Sequence, residues 1–292
     1  MSIVRNLFSS ARQSPRENHL LGALPPADYE RLVPHLELVP LPVGWAVHEA
    51  GDAQGYVIFP ATGIVSLVYG MQDGSSTAMA LVGNEGLVGV ALLMQGESTP
   101  THAMVKNAGY GYRLRASAVK TQFSQGGDLQ RLALRYTQAL ITQIALTAVC
   151  NRHHTVEQQL CRLLLLSLDR LPSNMVSMTQ ELLANMLGVR REGVTDAACK
   201  LQAAGLIRYK RGHIAVLDRP NLEARVCECY AVVKREYERL LPEVPALRRD
   251  VVVPQCLQHA RARRAPAPLV STGLLEPGQP PRESTRSSSA GA

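Results

Sequence analysis

The chain reads as an α+β protein: an N-terminal antiparallel β-roll of the jelly-roll kind, one long helix, and a C-terminal winged helix-turn-helix. Between Leu36 and Leu114, short β-branched or apolar runs alternate with turn residues at Gly44, Gly51-Asp52, Gly63, Asp73-Gly74, Gly83-Asn84, Gly86 and Gly109. That spacing is typical of an antiparallel barrel or sandwich. After Gly127 a helical repeat continues to His154 with no internal proline or glycine. Between Met178 and Leu217, two short helical patterns and two short strands follow in quick succession.

The elements divide the chain into a flexible leader over 1–17, the strand-rich roll over 18–126, the long helix and hinge over 127–154, a winged helix-turn-helix over 155–244 and a disordered basic tail over 245–292. Asn18 to His35 reads as short helices, one of them opening at Pro25-Pro26. The strands follow, with Asp73-Gly74 as a tight hairpin turn. In the long helix, Leu129, Leu132, Tyr136, Ala139, Gln143, Leu146 and Cys150 recur at alternating spacings of three and four, which predicts a coiled-coil-like seam. The polar Gln143 is placed to set its register, and a second stripe with Leu140 and Ile144 faces the roll. Asn151 to His154 is the hinge, with His153 and His154 as solvated residues. Thr155 and Gln158 form a capping box for a largely buried helix carrying Leu160, Leu163, Leu164, Leu166 and Leu168. Asn221 to Leu241 reads as one last helix, ended by Pro242.

Length and charge bound the function. A chain of 292 residues is long enough for two domains with real cores. Its formal charge of +7 suits an anionic partner, weakly by itself. No apolar run reaches the length of about 18 residues that a membrane span needs. The first residues lack an apolar core ahead of a small-residue cleavage site. A cytoplasmic protein without membrane contact is therefore expected. An enzyme built on the roll needs a nucleophile–base pair or metal ligands, and the roll offers only the scattered His48 and His102. Glu85 and Glu97 read as solvated turn charges.

The stretch from Met178 to Leu217 carries the most specific chemistry. Thr179 caps a helix with Leu182, Leu183, Met186 and Leu187 at helical spacing, and Gly188 stops it. A second helical pattern from Arg190 to Ala204 ends at Gly205, and two strands then flank Lys210-Arg211-Gly212. In such a unit the second helix presents its N-terminal residues to base edges in the major groove. Here that tip carries Arg190, Arg191, Glu192 and Thr195, followed by Asp196. Arginine bridges guanine O6 and N7, and glutamate accepts from cytosine N4. Lys200, Lys210, Arg211 and His213 are placed for phosphates. From Met178 to Arg219 there are seven Lys or Arg against four Asp or Glu, so placement matters more than net charge.

Thr179, Ala184, Leu187, Gly188, Val189, Arg191, Glu192 and Val194 together closely resemble the helix-turn-helix signature of the Crp/Fnr superfamily of bacterial transcription regulators. The resemblance implies that Arg191 and Glu192 contact bases, that Thr179 contacts a phosphate, that the roll over 18–126 is a sensor domain, and that the long helix over 127–154 is a dimerisation helix joining two subunits on double-stranded DNA. An activator of this kind would also contact RNA polymerase. Two positions depart from the pattern: Asp196 stands where many members place another base-reading arginine, and Arg190 replaces the usual serine. Both imply a different half-site. Gly51-Asp52, Tyr56 to Phe59 and Gly63 to Val65 resemble the cyclic-nucleotide-binding roll, more weakly.

In nucleotide-binding members a Gly-Glu pair and a later Arg-Ser/Thr-Ala grip ribose and cyclic phosphate. Here Gly89 is followed by Val90, and Thr101-His102 replaces the arginine and its neighbour. Without that arginine little offsets dehydrating the phosphate. The roll is therefore not expected to take cyclic AMP or cyclic GMP in the usual way, and its effector, around Gly89, Val90, Thr101 and His102, is unknown. The rivals are a winged helix used for protein contacts and a degenerate sensor without a ligand.

The six cysteines, Cys150, Cys161, Cys199, Cys227, Cys229 and Cys256, form no CxxC pair. Cys227 and Cys229, read on one continuous helix, point to different sides. No metal site and no cofactor are expected. An iron–sulfur cluster of the superfamily's kind uses N-terminal cysteines, and none precedes Cys150, so that group is not expected either. The tail from Arg248 has seven Arg and three acidic residues, with Arg261, Arg263 and Arg264 clustered, and would add salt-sensitive DNA affinity or merely solubility.

Overall fold

The computed structural model of the protein describes residues 13–242. The leader up to residue 12 and the tail from 245, with Cys256 and the arginine cluster, lie outside the described residues. Residues 13–17, assigned to the leader, form a capped turn instead. Ser14 accepts from Arg16 N, Glu17 accepts from Ser14 N, and Tyr110 donates its hydroxyl to Glu17 at 2.5 Å.

Two short helices follow, α1 (His19–Gly22) and α2 (Pro26–Leu32). Asn18 caps α1 and is itself fully buried. Its amide donates to Pro60 O and Gly86 O while its oxygen accepts from Leu20 N and Leu21 N, so every polar group is satisfied. Strands β1 (Leu36–Leu41), β2 (Ala46–His48), β3 (Tyr56–Pro60), β4 (Ile64–Gly70), β5 (Ser76–Val82), β6 (His102–Asn107) and β7 (Gly109–Arg115) build the roll, with the short helix α3 (Val90–Leu93) between β5 and β6. They form two antiparallel sheets, ordered β1-β7-β3 and β2-β6-β4-β5. Alternation along β6 sends Ala103, Val105 and Asn107 inward, and Leu20, Leu41, Val57, Phe59 and Leu114 fill the core between the sheets.

Helices α4 (Ala116–Ser124) and α5 (Asp128–His153) close the roll. The seam read along α5 belongs to this closure and not to a second subunit. Leu129, Leu132 and Tyr136 sit in the roll's own core, Ala139, Gln143 and Cys150 are buried, and Leu146 packs against the following domain. Spacing of three and four identifies an apolar face without saying what covers it. The face α5 leaves in solvent carries Leu134, Ile141 and Val149, each close to half exposed.

Beyond α5 come α6 (Val156–Leu168), β8 (Met175–Ser177), α7 (Gln180–Leu187), α8 (Arg191–Ala203), β9 (Ile207–Lys210), β10 (His213–Val216), α9 (Arg219–Arg225) and α10 (Glu228–Leu240). The Thr155–Gln158 capping box opens α6, and its leucines are buried against α7, α8 and the wing. The wing sheet is ordered β8-β10-β9, so it has a third strand, β8, too short to read from alternation. The single last helix expected from Asn221 is two, because the chain extends at Val226 and Cys227. None of the described helices is long and apolar enough to cross a membrane.

One buried polar cluster ties these parts together. Arg170, after α6, donates Nε to Glu85 Oε1 at 2.7 Å, Nη1 to Leu166 O at 2.7 Å and Nη2 to Gln143 Oε1 at 3.0 Å. Tyr237 of α10 donates to the same Gln143 oxygen at 3.1 Å. Glu85, expected in solvent, is thus the counter-charge of a buried arginine, and Gln143 serves this cluster instead of a dimer register. Glu97 is exposed and pairs with Lys120 at 3.2 Å.

Candidate functional site

The helix-turn-helix grows from its caps. Thr179 accepts from Leu182 N at 3.1 Å, satisfying one orphan donor of α7 while remaining exposed. Gly188 ends α7 with φ 66°, which a side chain rarely adopts, and a Cβ there would meet Thr77 of the roll at 3.0 Å. The turn therefore both reverses the chain and touches the roll. Arg190 is the N-cap of α8, and Arg191 and Glu192 occupy its exposed first turn. Val194, Ala197, Ala198 and Leu201 are buried behind them.

Further along, Thr195 donates its hydroxyl to Arg191 O at 3.0 Å. Asp196 pairs with Lys200 at 2.8 Å, and this contact raises the lysine's pKa. Lys200 thus already holds an anion, and Asp196 is partly neutralised. In the wing, Arg211 and Gly212 take φ of 50° and 80°, the two positive values of a tight primed hairpin turn. The turn exposes Lys210 and Arg211 at its tip, and His213 Nδ1 lies 3.1 Å from Ser177 Oγ. Arg190, Arg191, Arg208, Lys210 and Arg211 make no ion pair among the described residues, whereas Arg219 is held by Asp169 and Glu223. Arg208 is not among the residues singled out by motif. Strand alternation, with Ile207 inward, is the signal that places it outward.

The four effector candidates separate. Gly89, Val90 and Thr101 line a small cavity with His48, Gln54 and Thr99. His102 does not. It lies outside, with Nδ1 2.6 Å from Glu49 Oε2. The ionisable group at the cavity is His48, whose pKa is lowered by burial and then by the neighbouring His102. Its Nε2 and Gln54 Oε1 are buried without a partner. Among the described residues, no arginine or carboxylate lines this cavity. Because the unfolded chain binds the His48 proton more readily than the folded one, stability rises with pH through this group and is lost as pH falls below the ordinary value of 6.5. His48→Gln should flatten the acid-side fall of the melting temperature; an unchanged slope between about pH 5 and 6.5 counts against it.

The expectation of no metal site is overturned. Cys150, His154, Cys227 and Cys229 bring four ligand atoms within 4.8 Å of one another, and the three thiols are buried. Cys150 lies in the last turn of α5 and His154 is its extended C-cap, whose backbone N–H donates to Cys150 O. Cys227 is the extended N-cap of α10 and Cys229 lies in its first turn, so the two sulfurs converge where a continuous helix would have parted them. His154, expected in solvent, has Nε2 3.3 Å from Glu228 Oε2. Burial pushes the Cys150 thiol up to about 12 and raises that of Cys229.

Residues 158–225 match the family model of the Crp-like helix-turn-helix domain. FixK2 from Bradyrhizobium japonicum has a TM-score of 0.57 at 16% identity, over 66% of this chain and 98% of its own. A transcriptional regulator of the Crp/Fnr family from Eubacterium rectale has 0.56 at 16%, over 75% and 98%. A CRP-family regulator from Thermus thermophilus has 0.55 at 18%, over 64% and 95%. No curated protein matches the sequence.

Proposed function

We propose, from the premise that residues 158–225 are a Crp-like DNA-binding helix-turn-helix on the Crp/Fnr regulator fold, that this chain is a homodimeric, sequence-specific transcription regulator and not an enzyme. One observation carries the reading: the first turn of α8 exposes Arg190, Arg191 and Glu192 beside a wing whose Arg208, Lys210 and Arg211 have no carboxylate partner among the described residues. Base edges take the first group and phosphates the second. The cavity lined by Val90, Thr101 and His48 favours an effector other than a cyclic nucleotide, since no guanidinium among the described residues faces it. RNA polymerase is the further partner if the output is activation. Selection of bound duplexes from random DNA should return an inverted repeat with half-sites about 34–36 Å apart. A pure chain that ignores every duplex at low ionic strength sinks the reading.

The dimer is assigned to the solvent face of α5. Leu134, Gln138, Ile141, Ala145 and Ala148 follow at spacings of four and three along this exposed face, and Val149 adds to it. Burying the 59% of Ile141 that is exposed is worth roughly 1–2 kcal/mol per side chain. Ile141→Glu is expected to give a folded monomer in light scattering while Leu129→Met leaves the dimer intact. A dimer that survives Ile141→Glu places the interface elsewhere.

A further inference from the structure

We propose that Cys150, His154, Cys227 and Cys229 hold a single tetrahedral Zn²⁺ that fastens the end of α5 to the start of α10. Zinc–sulfur bonds of about 2.3 Å and zinc–nitrogen bonds of about 2.0–2.1 Å give tetrahedral edges of roughly 3.8 Å between sulfurs and roughly 3.6 Å between sulfur and nitrogen. Cys150 Sγ and Cys227 Sγ are 3.6 Å apart, and Cys229 Sγ and His154 Nδ1 are 3.7 Å apart. All four atoms lie within 4.8 Å of one another, a span suited to one ion. Three soft sulfurs and an imidazole favour zinc among the common divalent ions, and a complete set of four protein ligands marks a structural site.

Two neighbours complete the coordination chemistry. His154 offers Nδ1 inward and turns Nε2 to the Glu228 carboxylate at 3.3 Å, the outer partner that fixes a ligating imidazole's tautomer. On binding, the three thiols release three protons to solvent, so the filled site carries a charge of minus one. Arg162 supplies the balance. It is buried, forms no ion pair among the described residues, leaves its Nε without a partner, and acts electrostatically on Cys150, Cys227 and Cys229. A buried guanidinium with no carboxylate is costly unless another anion faces it. The zinc thiolates are that anion.

The position gives the metal a mechanical role. Cys150 and His154 bracket Asn151–His153, where the long helix ends and the chain passes toward the helix-turn-helix, while Cys227 and Cys229 begin the helix that packs back along α5. Filling the site holds that joint closed.

The test uses the full chain, reduced and stripped with a chelator, then titrated with Co²⁺ in place of zinc. One equivalent per chain should bind with the intense visible bands of tetrahedral cobalt and thiolate charge transfer in the near ultraviolet, and one equivalent of Zn²⁺ should displace it and raise the melting temperature. Cys229→Ser should lose part of the charge-transfer intensity and most of the affinity, while the exposed Cys199→Ser stays as wild type. Glu228→Ala, a surface change that leaves all four ligands, should weaken binding about 10-fold to 100-fold. A chain with every thiol reduced that binds no cobalt overturns the proposal. So does a Cys229→Ser spectrum identical to wild type, or a multi-iron chromophore on the isolated protein.

Discussion

Glu85→Ala is expected to lower the stability of the folded chain by about 3–5 kcal/mol, because it strands a buried guanidinium without its counter-charge. Arg170 is only 4% exposed at its side chain and Glu85 14%, so water reaches neither well enough to replace the other. The arginine's remaining bonds, to Gln143 and Leu166 O, are to neutral groups and do not cancel a charge. Removing both charges together costs much less: Glu85→Leu with Arg170→Met leaves an apolar joint of similar volume. A double-mutant cycle read from urea midpoints therefore gives a coupling of the two sites well above the few tenths expected of independent residues. Additive losses would mean that the pair is not the electrostatic joint of the molecule. Because Glu85 belongs to the roll, Gln143 to α5, Arg170 to the end of α6 and Tyr237 to α10, Glu85→Ala should also loosen the helix-turn-helix relative to the roll, seen as faster amide exchange in α10.

Arg191→Ala should weaken binding to the selected operator by about 1–3 kcal/mol, roughly fivefold to 150-fold, and relax preference at one base pair. Lys210→Ala, at the wing, should weaken operator and random DNA alike and reduce the slope of log affinity against log salt by about one. The difference follows from position: Arg191 sits in the exposed first turn of α8, the helix proposed to read bases, while Lys210 lies at the tip of the wing hairpin, whose Gly212 approaches Thr179, the cap of α7. Asp196 contributes less than its place on α8 suggests, since Lys200 already holds it. Equal losses for Arg191→Ala and Lys210→Ala on specific and random DNA would reverse these roles.

Local rules made the order of elements legible. Gly188 and the Arg211-Gly212 pair are needed where the backbone turns with positive φ, Thr179 and Thr155 are needed where helices begin, and apolar periodicity marks which residues face inward. These are short-range requirements, written within about four residues of where they act. The same reasoning located the tip of α8 and the wing, although Arg208 needed the strand's inward and outward alternation to be followed one residue further.

What covers a face, and what meets across the chain, depends on contacts far apart in sequence. The α5 stripe is the roll's lid, and only the packed fold assigns Tyr136 and Gln143 to it and leaves Ile141 in solvent. Glu85 meets Arg170 across 85 positions. Cys150 meets Cys227 across 77 positions, through a helix break at Val226 that no spacing rule marked. The residue order alone therefore specified most of the elements and the exposed tip of α8, since caps, turns and periodicity act locally. Packing assigned the joint, the lid and the thiol–imidazole cluster, since each exists only once distant segments are brought together.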